Sequence, residues 1–350
     1  MQKFPHIFNP IIVHTGQHYD FEMSKIFFQE LEIPNPDYNL EIGSFSHAIQ
    51  TAEIMIKFEK ICLKEKPDFV LVVGDVNSTL AASLVAVKLN ISVVHVEAGL
   101  RSFDYSMPEE INRKLTDVIS SFLFTPSIDA EKHLLKEGID KKKIYFVGNV
   151  MIDTLIAMLP KIKKISIPVE ISNFIKNYYA VLTLHRPSNV DDGNILSEIL
   201  SGIEFISRKI PVIFPVHPRT EKQIKKLKLG QYFKNIKIVS PLGYLEYMKL
   251  MKEAKLVFTD SGGVQEETTF LGIPCLTLRN NTERPITIKE GTNKLVGTNK
   301  KKIIEESFKI LNKKYVKRRV PKFWDGNASK RIVKILIKNI VNMKYLLLKK

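Results

Sequence analysis

The sequence contains few groups from which a covalent or metal-bound framework could be built. Cysteine occurs only twice in 350 residues, at Cys62 and Cys275, and both lie in apolar surroundings. A disulfide framework and a cysteine-ligated zinc site are therefore excluded. We expect both cysteine side chains to serve packing.

Long apolar runs are absent as well. No stretch approaches the roughly 18 uninterrupted apolar residues that cross a bilayer, and residues 1–5 lack the apolar core of a signal peptide. We therefore expect a cytoplasmic protein without a membrane partner. Residues 329–350 carry apolar side chains at near-helical spacing between lysines, which predicts an amphipathic helix packed on the body of the protein. Binding of this helix to a membrane surface is the minor alternative.

Acidic residues are fewer than basic ones, 37 against 53, which gives a formal net charge of +16. Such a charge attracts anions, whether a sugar nucleotide, nucleic acid or a membrane surface. The excess is mostly lysine on predicted helical faces, without the arginine and aromatic interleaving that stacks bases. Solvated surface is therefore the favoured interpretation, and nucleic-acid binding is the weakest alternative.

Short β-branched or aromatic runs alternate with helical patterns along the whole chain. They predict strands at residues 11–14, 69–73, 92–96, 122–125 and 144–147, and a second series at 180–184, 212–216, 236–239, 256–259 and 275–278. This alternation, in a chain too long for one ordinary core, predicts an α/β fold of two doubly wound, Rossmann-like domains. We place the domains at residues 1–155 and 156–325, followed by a final helix at 326–350.

Acidic side chains follow two of the predicted strands of the first domain. Asp75 comes just after residues 69–73, Glu97 comes just after 92–96, and Glu109 stands at a helix start behind Pro108. Asp75 could be only a helix cap, and Glu109 could serve only to stabilise the helix dipole. Glu97 is harder to explain in this way, because glutamate is a poor helix cap. Because ligands of such sheets bind at the carboxyl ends of strands, the three acids could converge as general acids and bases.

Basic side chains follow the strands of the second domain. His185 and Arg186 end the strand at 180–184, where a histidine can shuttle protons and an arginine can hold a diphosphate. A solitary histidine is more often structural, and its position at a strand end favours function here. His217 and Arg219 form a similar, less clear set after residues 212–216.

A possible phosphate site lies at residues 258–267. A short strand runs into Ser261-Gly262-Gly263 and then into a helix that carries Glu267 about one turn inside. Free backbone N–H groups and the positive helix end would receive a phosphate, although glycine there could be needed only for its backbone freedom. No metal is predicted, since Gly16 between His14 and His18 argues against a helix and no carboxylate completes a ligand set.

Eight motifs along almost the whole chain resemble, in order and spacing, those of the non-hydrolysing UDP-N-acetylglucosamine 2-epimerases. They are Thr15-Gly16-Gln17-His18, Gly74-Asp75, His95-Val96-Glu97-Ala98-Gly99-Leu100-Arg101, Pro108-Glu109-Glu110-Ile111-Asn112-Arg113, Gly148-Asn149-Val150-Met151-Ile152-Asp153, His185-Arg186-Pro187, Asp260-Ser261-Gly262-Gly263-Val264-Gln265-Glu266-Glu267 and Thr282-Glu283-Arg284-Pro285. The resemblance implies a glycosyltransferase-B fold, with the last helix returning to the first domain, and usually a homodimer.

The resemblance also implies a mechanism without a cofactor. The proton at C2 of UDP-N-acetylglucosamine leaves while UDP departs from C1, 2-acetamidoglucal and UDP stay bound, and the proton returns to the opposite face as UDP re-adds. The resemblance implies proton transfer and leaving-group assistance for Asp75, Glu97, Glu109 and His185.

For the nucleotide, the resemblance implies that the diphosphate binds Ser261, Gly262 and Gly263, that the ribose binds Glu267, and that Tyr247 lies near the uracil. It implies added positive charge from Arg113 and Arg186 and substrate binding by His217. It also implies an activator site for a second substrate molecule at Gln17 and His18.

Three departures from the family pattern are visible. The chain opens without the usual strand and Gly-Thr-Arg-Pro-Glu loop, which in the family supplies an arginine and a helix end to the phosphate site. Gln17-His18 is followed by Tyr19-Asp20 and an arginine expected near Ser44 is absent, so we expect no allosteric activation. The segment after His185 lacks the usual glutamate before Asn189.

Two enzymatic alternatives share these motifs. A hydrolysing relative would release free N-acetylmannosamine and UDP with the same acids and fold, and Gln17-His18 argues against it. A glycosyltransferase of the same fold would use the Ser-Gly-Gly turn and Glu267 for UDP, but would have less need of three carboxylates around C2.

Overall fold

The structure is a computed structural model that describes residues 6–16, 28–175, 177–312 and 319–347, and in it most of the parallel strands are followed by helices. Of residues 340–347 the backbone alone is described. The chain divides into unit 1, which comprises Met1–Thr154 and Lys322–Lys350, and unit 2, which comprises Leu155–Pro321. Each unit has its own parallel sheet and its own apolar core.

Fourteen α-helices and twelve strands are described, together with single 3₁₀ turns at Lys141–Lys143 and Gly230–Tyr232. As far as the start of unit 2 they are β1 (Val13–His14), β2 (Tyr38–Asn39), α1 (His47–Glu65), β3 (Phe69–Val73), α2 (Asn77–Lys88), β4 (Ser92–Val96), α3 (Pro108–Ile119), β5 (Phe122–Thr125), α4 (Ile128–Lys136), β6 (Ile144–Phe146) and α5 (Val150–Lys164). Then follow α6 (Val169–Ser172), β7 (Ala180–Thr183), α7 (Pro187–Val190), α8 (Gly193–Ser207), β8 (Val212–Pro215), α9 (Pro218–Lys226), β9 (Ile236–Val239), α10 (Tyr244–Glu253), β10 (Leu256–Thr259), α11 (Gly262–Leu271), β11 (Cys275–Thr277), α12 (Ile286–Lys289), β12 (Asn293–Leu295), α13 (Lys300–Leu311) and α14 (Ala328–Leu347).

Every predicted strand is present within two residues of its predicted limits, and the predicted α/β class is confirmed. Two strands, β2 and β12, were not predicted, because each is only two or three residues long and neither is an apolar run. Cys62 and Cys275 are both buried free thiols, as expected for packing residues.

Unit 1 is built on a parallel sheet in the order β3-β4-β5-β6. Helix α14 packs on this sheet, because Ile332, Val333 and Leu336 join a core cluster that contains Val94 and Phe124. The first turn of α14 is capped within the same unit by the Asp153 carboxylate, which accepts hydrogen bonds from the N–H groups of Ala328 (3.1 Å) and Ser329 (2.7 Å).

One edge of the unit 1 sheet is open in the part of the chain that the structure describes. Strand β3 is the last strand of its sheet on that side, and β1 pairs only with β2. A cavity of about 970 Å³ runs along β3 and is lined also by residues 7–15 and by α1. Leu71 and Val73 on β3 are 37% and 47% exposed, so apolar side chains line this edge.

Unit 2 is built on a six-stranded parallel sheet in the order β12-β11-β10-β7-β8-β9. Strands β7 and β10 consist almost entirely of buried apolar residues, as is typical of parallel strands covered by helices on both faces. The chain leaves β7 towards β8 and β9, and then returns to the other side of β7 with β10. The carboxyl ends of β7 and β10 therefore form the topological switch point, where sheets of this kind bind their ligands.

No described helix is both long and apolar enough to cross a membrane. Within the same described residues, no group of three or more His, Cys, Asp or Glu side chains is placed to hold a metal ion.

Candidate functional site

A pair of hydrogen-bonded threonines lies at the topological switch point of unit 2. Thr183 and Thr259 end β7 and β10, and their hydroxyl oxygens lie 2.7 Å apart in a hydrogen bond. Asp260 directly follows β10, and His185 and Arg186 follow β7 after one buried residue, Leu184. His185, Arg186 and Asp260, which all belong to the motifs found in the sequence, therefore lie together at the position where a parallel sheet binds its ligand.

Asp260 holds the segment that follows β7. Its fully buried carboxylate accepts the N–H groups of His185 (3.0 Å) and Arg186 (2.9 Å) and lies 2.9 Å from Nδ1 of His185. Asn189 Nδ2 donates to the same carboxylate (3.2 Å). Burial by itself would raise the pKa of Asp260, but the hydrogen bond and charge of His185 and the two N–H groups hold that pKa below its ordinary value.

This contact orients the His185 ring. Because Nδ1 points at a carboxylate, Nδ1 carries a hydrogen, and Nε2 is the nitrogen that can exchange a proton with a substrate. The His185 side chain is 41% exposed, so the ring is accessible although its partner Asp260 is buried. The arrangement fits the predicted role of His185 in proton transfer or leaving-group assistance.

The start of α11 lies directly after Asp260. Ser261 is the N-cap residue, its N–H donates to Thr259 Oγ1 (3.0 Å), and no side chain caps the helix in the described structure. The N–H groups of the first turn are therefore available to an anion. A Cβ atom at Gly262 would lie 2.6 Å from Glu283 Oε1 and 2.9 Å from Arg284 Nη1, so an alanine here would have to displace the ends of these two buried side chains.

A buried cluster of charges surrounds the start of α11. Glu283 accepts from Arg279 Nη2 (2.8 Å) and Arg284 Nη1 (2.7 Å), and Arg186 Nη2 lies 3.5 Å from it. Arg284 Nε lies 3.1 Å from Glu266 Oε1. The Thr282-Glu283-Arg284-Pro285 motif therefore supports the predicted diphosphate residues and fixes the position of Arg186.

Glu267 lies on α11 and is buried, with 4% of its surface exposed. The Tyr244 hydroxyl donates to Glu267 Oε1 (3.1 Å). Burial raises the pKa of Glu267 to about 8, the Tyr244 hydrogen bond opposes the shift, and the charge of Glu266 adds to it. Tyr247 also has a buried hydroxyl, and burial followed by the charge of Glu267 raises its pKa. The predicted ribose and uracil residues are therefore neighbours.

His217 lies further along the same end of the unit 2 sheet. It is the N-cap of α9, and its Nδ1 accepts the N–H of Arg219 (3.2 Å). Its ring centroid is 6.1 Å from that of His185. Arg219 Nε donates to Asp191 Oδ1 (2.9 Å), which ties α9 to the end of α7. His217 thus has a structural role at a helix end while lying beside a candidate catalytic ring.

In unit 1 the structure brings Asp75 and Arg113 together. Arg113 Nε donates to Asp75 Oδ2 (2.9 Å), and Asn112 Nδ2 donates to the backbone carbonyl of Asp75 (2.9 Å). Arg113 Nη1 also donates to the fully buried Glu110 (2.5 Å). The described residues offer no hydrogen-bond acceptor to Arg113 Nη2, so the side chain retains a donor for a bound anion.

Glu97 and Glu109 lie at the same edge of the unit 1 sheet. Glu97 directly follows β4, and its φ of 68° is in the left-handed region, which a residue other than glycine seldom adopts. Glu109 is half-buried in the first turn of α3. Gln17 and His18 lie outside the described residues.

The sequence analysis did not identify four residues that contact the predicted site residues. Asp260 orients His185, Tyr244 binds Glu267, Asn189 binds Asp260, and Glu110 binds Arg113 and accepts the N–H groups of residues 102 and 103. Only Asp260 carried a usable signal, since an acid within two residues of the end of a largely apolar strand is the pattern that also marked Asp75. The other three act through contacts that no local spacing indicates.

Known proteins were compared with this chain. A sequence model of the UDP-N-acetylglucosamine 2-epimerase family matches residues 3–337. A UDP-N-acetylglucosamine 2-epimerase homolog of Methanococcus maripaludis is 52% identical over 335 residues, which cover 94% of this chain and 92% of that protein. UDP-2,3-diacetamido-2,3-dideoxy-D-glucuronate 2-epimerase of Pseudomonas aeruginosa is 42% identical over 331 residues, with coverages of 94% and 91%.

The fold comparison agrees with these matches. The crystal structure of Methanocaldococcus jannaschii UDP-GlcNAc 2-epimerase in complex with UDP-GlcNAc and UDP has a TM-score of 0.85 and 50% sequence identity to this chain, over 93% of this chain and 91% of that one. Both the sequence and the fold are thus shared along nearly the whole length. The chain therefore belongs to the UDP-N-acetylglucosamine 2-epimerase family.

Proposed function

We propose that the protein catalyses the reversible C2 epimerisation of UDP-N-acetylglucosamine to UDP-N-acetylmannosamine without hydrolysis. The observation that carries the proposal is the set of carboxylates in unit 1, with Asp75 and Glu97 just after strands β3 and β4 and Glu109 at the start of α3. A C2 proton of a sugar needs a positioned base for removal and an acid for its return on the other face. A protein that only bound UDP, or only transferred a sugar from it, would have less need of them.

Unit 2 would hold the nucleotide. The diphosphate accepts hydrogen bonds from the first turn of α11, at Ser261, Gly262 and Gly263, and is neutralised by Arg186. Glu267 binds the ribose hydroxyls, and Tyr247 packs near the uracil. The start of α11, which no described side chain caps, and the buried pair formed by Glu267 and Tyr247 support this assignment.

The proposed proton steps use a carboxylate of unit 1 and the imidazole of His185. One carboxylate takes the C2 proton, and the electron pair of the C2–H bond forms a C1=C2 double bond. At the same time the C1–O bond breaks, and the electron pair of the C1–O bond leaves with the diphosphate. His185 Nε2 assists the departing phosphate oxygen. Re-addition of UDP at C1 is accompanied by protonation of C2 on the opposite face, so atoms and charge balance without an external oxidant or reductant. Arg113 holds Asp75 in place, as its 2.9 Å contact supports.

Incubation with UDP-N-acetylglucosamine in deuterated water tests the proposal. We expect deuterium at C2 of both UDP-sugars, and proton NMR should show no free reducing sugar. Free N-acetylmannosamine as the main product would instead indicate a hydrolysing enzyme. Retention of hydrogen at C2 while sugar is transferred to an acceptor would indicate a glycosyltransferase.

The sugar can be tested in the same assay. The Pseudomonas aeruginosa relative is named for a sugar that is a uronate and carries two acetamido groups. Both this sugar and N-acetylglucosamine have an acetamido group at C2, so both offer the same elimination chemistry. We propose UDP-N-acetylglucosamine as the substrate, and expect faster deuterium exchange with it than with UDP-2,3-diacetamido-2,3-dideoxy-D-glucuronate.

We also propose that the protein is a homodimer. Exposed apolar side chains on α3, at Ile111, Leu115 and Val118, are spaced so that they share one face of the helix. A second copy of the chain covering this face would remove them from water. Light scattering after size exclusion should give a dimer for the natural chain and a monomer for Val118→Glu, and a monomeric natural chain would contradict the proposal.

A further inference from the structure

His95 is a fully buried histidine on the central strand β4. Its Nδ1 lies 2.7 Å from Asp117 Oδ1, and its Nε2 lies 2.9 Å from the carbonyl oxygen of Gly74. Both partners are hydrogen-bond acceptors. A neutral imidazole carries one N–H group, so it can satisfy only one of them, whereas an imidazolium satisfies both.

The surroundings of Asp117 support a charged ring. Asp117 is buried, and its second oxygen accepts Arg101 Nη1 (2.7 Å) and the N–H of Gly99 (3.1 Å). Burial alone would raise the pKa of Asp117, but His95 and then Arg101 hold it below its ordinary value. Burial alone would lower the pKa of His95, but Asp117, the Gly74 carbonyl and the charge of Glu97 together raise it.

The network continues from Asp117 through Arg101. Arg101 Nε and Nη2 donate to the Glu137 carboxylate at 2.9 and 2.6 Å, and Lys114 Nζ lies 3.6 Å from Glu137. The two fully buried cations of the network, His95 and Arg101, thus share the buried carboxylate of Asp117. A buried pair of this kind is costly to break, since removal of one partner leaves the other charge unpaired.

The two ends of this network reach the two loops that carry candidate catalytic acids. The Gly74 carbonyl belongs to the peptide that joins Gly74 to Asp75, so the His95 ring fixes that peptide. The Gly99 N–H lies two residues after Glu97, so Asp117 fixes the turn that contains Glu97. A Cβ atom at Gly99 would lie 2.4 Å from the Ala130 carbonyl oxygen, which leaves this turn little room to move.

We propose that His95, kept as an imidazolium by Asp117, is a positioning residue for the epimerisation, because it ties the Asp75 loop to the Glu97 turn. The inference rests on the proposed function. Loss of the second N–H would leave one acceptor unsatisfied, and the peptide that carries it would turn towards another donor. Small displacements of catalytic groups are enough to lower a rate by about 100-fold.

The protonation state of the ring can be measured without any activity. In protein labelled with ¹⁵N in its histidines, and assigned by comparison with His95→Gln, the two His95 ring nitrogens should both give the signals of protonated nitrogens between pH 6 and 9. Asp117→Asn should convert the ring to a singly protonated form over the same range. A neutral ring in the natural protein would overturn the inference.

The positioning role is tested by steady-state kinetics of His95→Gln. Glutamine can donate to only one of the two acceptors through its amide nitrogen, so we expect kcat to fall about 100-fold. KM should change by less than about threefold, because the UDP contacts lie in unit 2. Asp117→Asn is a second variant, which keeps the shape of the side chain and should lower kcat in the same direction.

A matched control separates positioning from loss of stability. Ile54→Ala removes a fully buried side chain of another core cluster of unit 1 and touches neither loop. It should lower the Tm, as truncation of a buried side chain does, and leave kcat nearly unchanged. An equal loss of kcat in Ile54→Ala, or full kcat in a folded His95→Gln, would overturn the inference. Failure of the proposed function is distinct, since the natural protein would then show no exchange at C2.

Discussion

The two units present opposite kinds of groups at the ends of their parallel strands. Unit 1 presents carboxylates, and its Asp75 is paired with Arg113 while Glu97 adopts a strained backbone conformation. Unit 2 presents donors, namely the start of α11 and the segment of His185 and Arg186, and its one strand-end carboxylate, Asp260, is buried beneath them. Under the proposed function, the same architecture would carry proton chemistry in one unit and anion binding in the other.

The difference lies in where the negative charge is placed. In unit 2 the Asp260 carboxylate faces inward and is neutralised by main-chain N–H groups and His185, so it organises donors for an incoming anion. In unit 1 the buried charges of Asp117 and Glu110 support the loops, and other carboxylates remain to react. If this division is right, substitutions in unit 1 should lower kcat and those in unit 2 should lower UDP affinity.

The largest effect is expected for Glu97→Gln. Removal of a general acid or base lowers the rate by about 10²–10⁴-fold, and we expect kcat to fall about 1,000-fold. UDP affinity by calorimetry should stay within about twofold, because the change leaves unit 2 intact. Glu59→Gln, at an exposed position of α1, is the control and should keep full activity. A large loss of UDP affinity in Glu97→Gln would contradict the proposed division of roles between the units.

The second largest effect is expected for Gly262→Ala, which should weaken UDP binding. The new methyl group would collide with Glu283 and Arg284, which support the first turn of α11. We expect the Kd for UDP to rise about 30-fold, equivalent to roughly 2 kcal/mol. Gly230→Ala is a matched control, because a Cβ atom there meets nothing within 4 Å. Equal affinity in the two variants would show that α11 does not receive the diphosphate.

Asp260→Asn should have a smaller and mixed effect. Asparagine keeps one acceptor for the N–H groups of His185 and Arg186 but removes the charge that orients the His185 ring. We expect kcat to fall about 10-fold and the Kd for UDP to change less than about threefold, since a neutral hydrogen bond is weaker than a charge-assisted one. A pH profile of kcat that is unchanged in the variant would argue against proton exchange through His185.

The smallest effect is a pH dependence of stability at Glu267. Its folded pKa of about 8 lies above the ordinary value of 4.5, so the folded state holds the proton more tightly than the unfolded state. The free energy of unfolding should therefore decrease as pH rises from about 4.5 to about 8. Glu267→Gln removes this penalty, and its Tm should exceed that of the natural chain by about 5 °C at pH 8.5.

Scanning calorimetry at pH 4 and pH 8.5 checks the sign. At pH 4 the glutamate is protonated in both states, so the two proteins should differ little. A stabilisation of Glu267→Gln that is equal at both pH values would show that ionisation is not its cause.

Much of the fold followed from local signals. The apolar runs that became β3, β4, β7 and β10 are long enough to be recognised, and the polar residues just after them mark the ligand edge of each sheet. Two Rossmann-like units of the glycosyltransferase-B type, which the resemblance implied, are the result. Strand β2 was not predictable, because two residues carry no periodicity.

The supporting contacts of the site could not be predicted, because they join residues far apart in sequence. His185 and Asp260 are 75 positions apart, and nothing near His185 specifies an acid as its partner. Tyr247 was expected beside the nucleotide from the family pattern, whereas Tyr244, one helical turn earlier, donates the hydrogen bond to Glu267. Only the packing of α10 on α11 decides which of these two hydroxyls reaches the carboxylate.

Within the described residues, no strand pairs with the outer side of β3, where the side chains of Leu71 and Val73 are exposed. An edge of this kind can accept another extended segment through main-chain hydrogen bonds. If this edge is uncovered in solution, the net positive charge should oppose addition of a second copy at low ionic strength, and added salt should promote it.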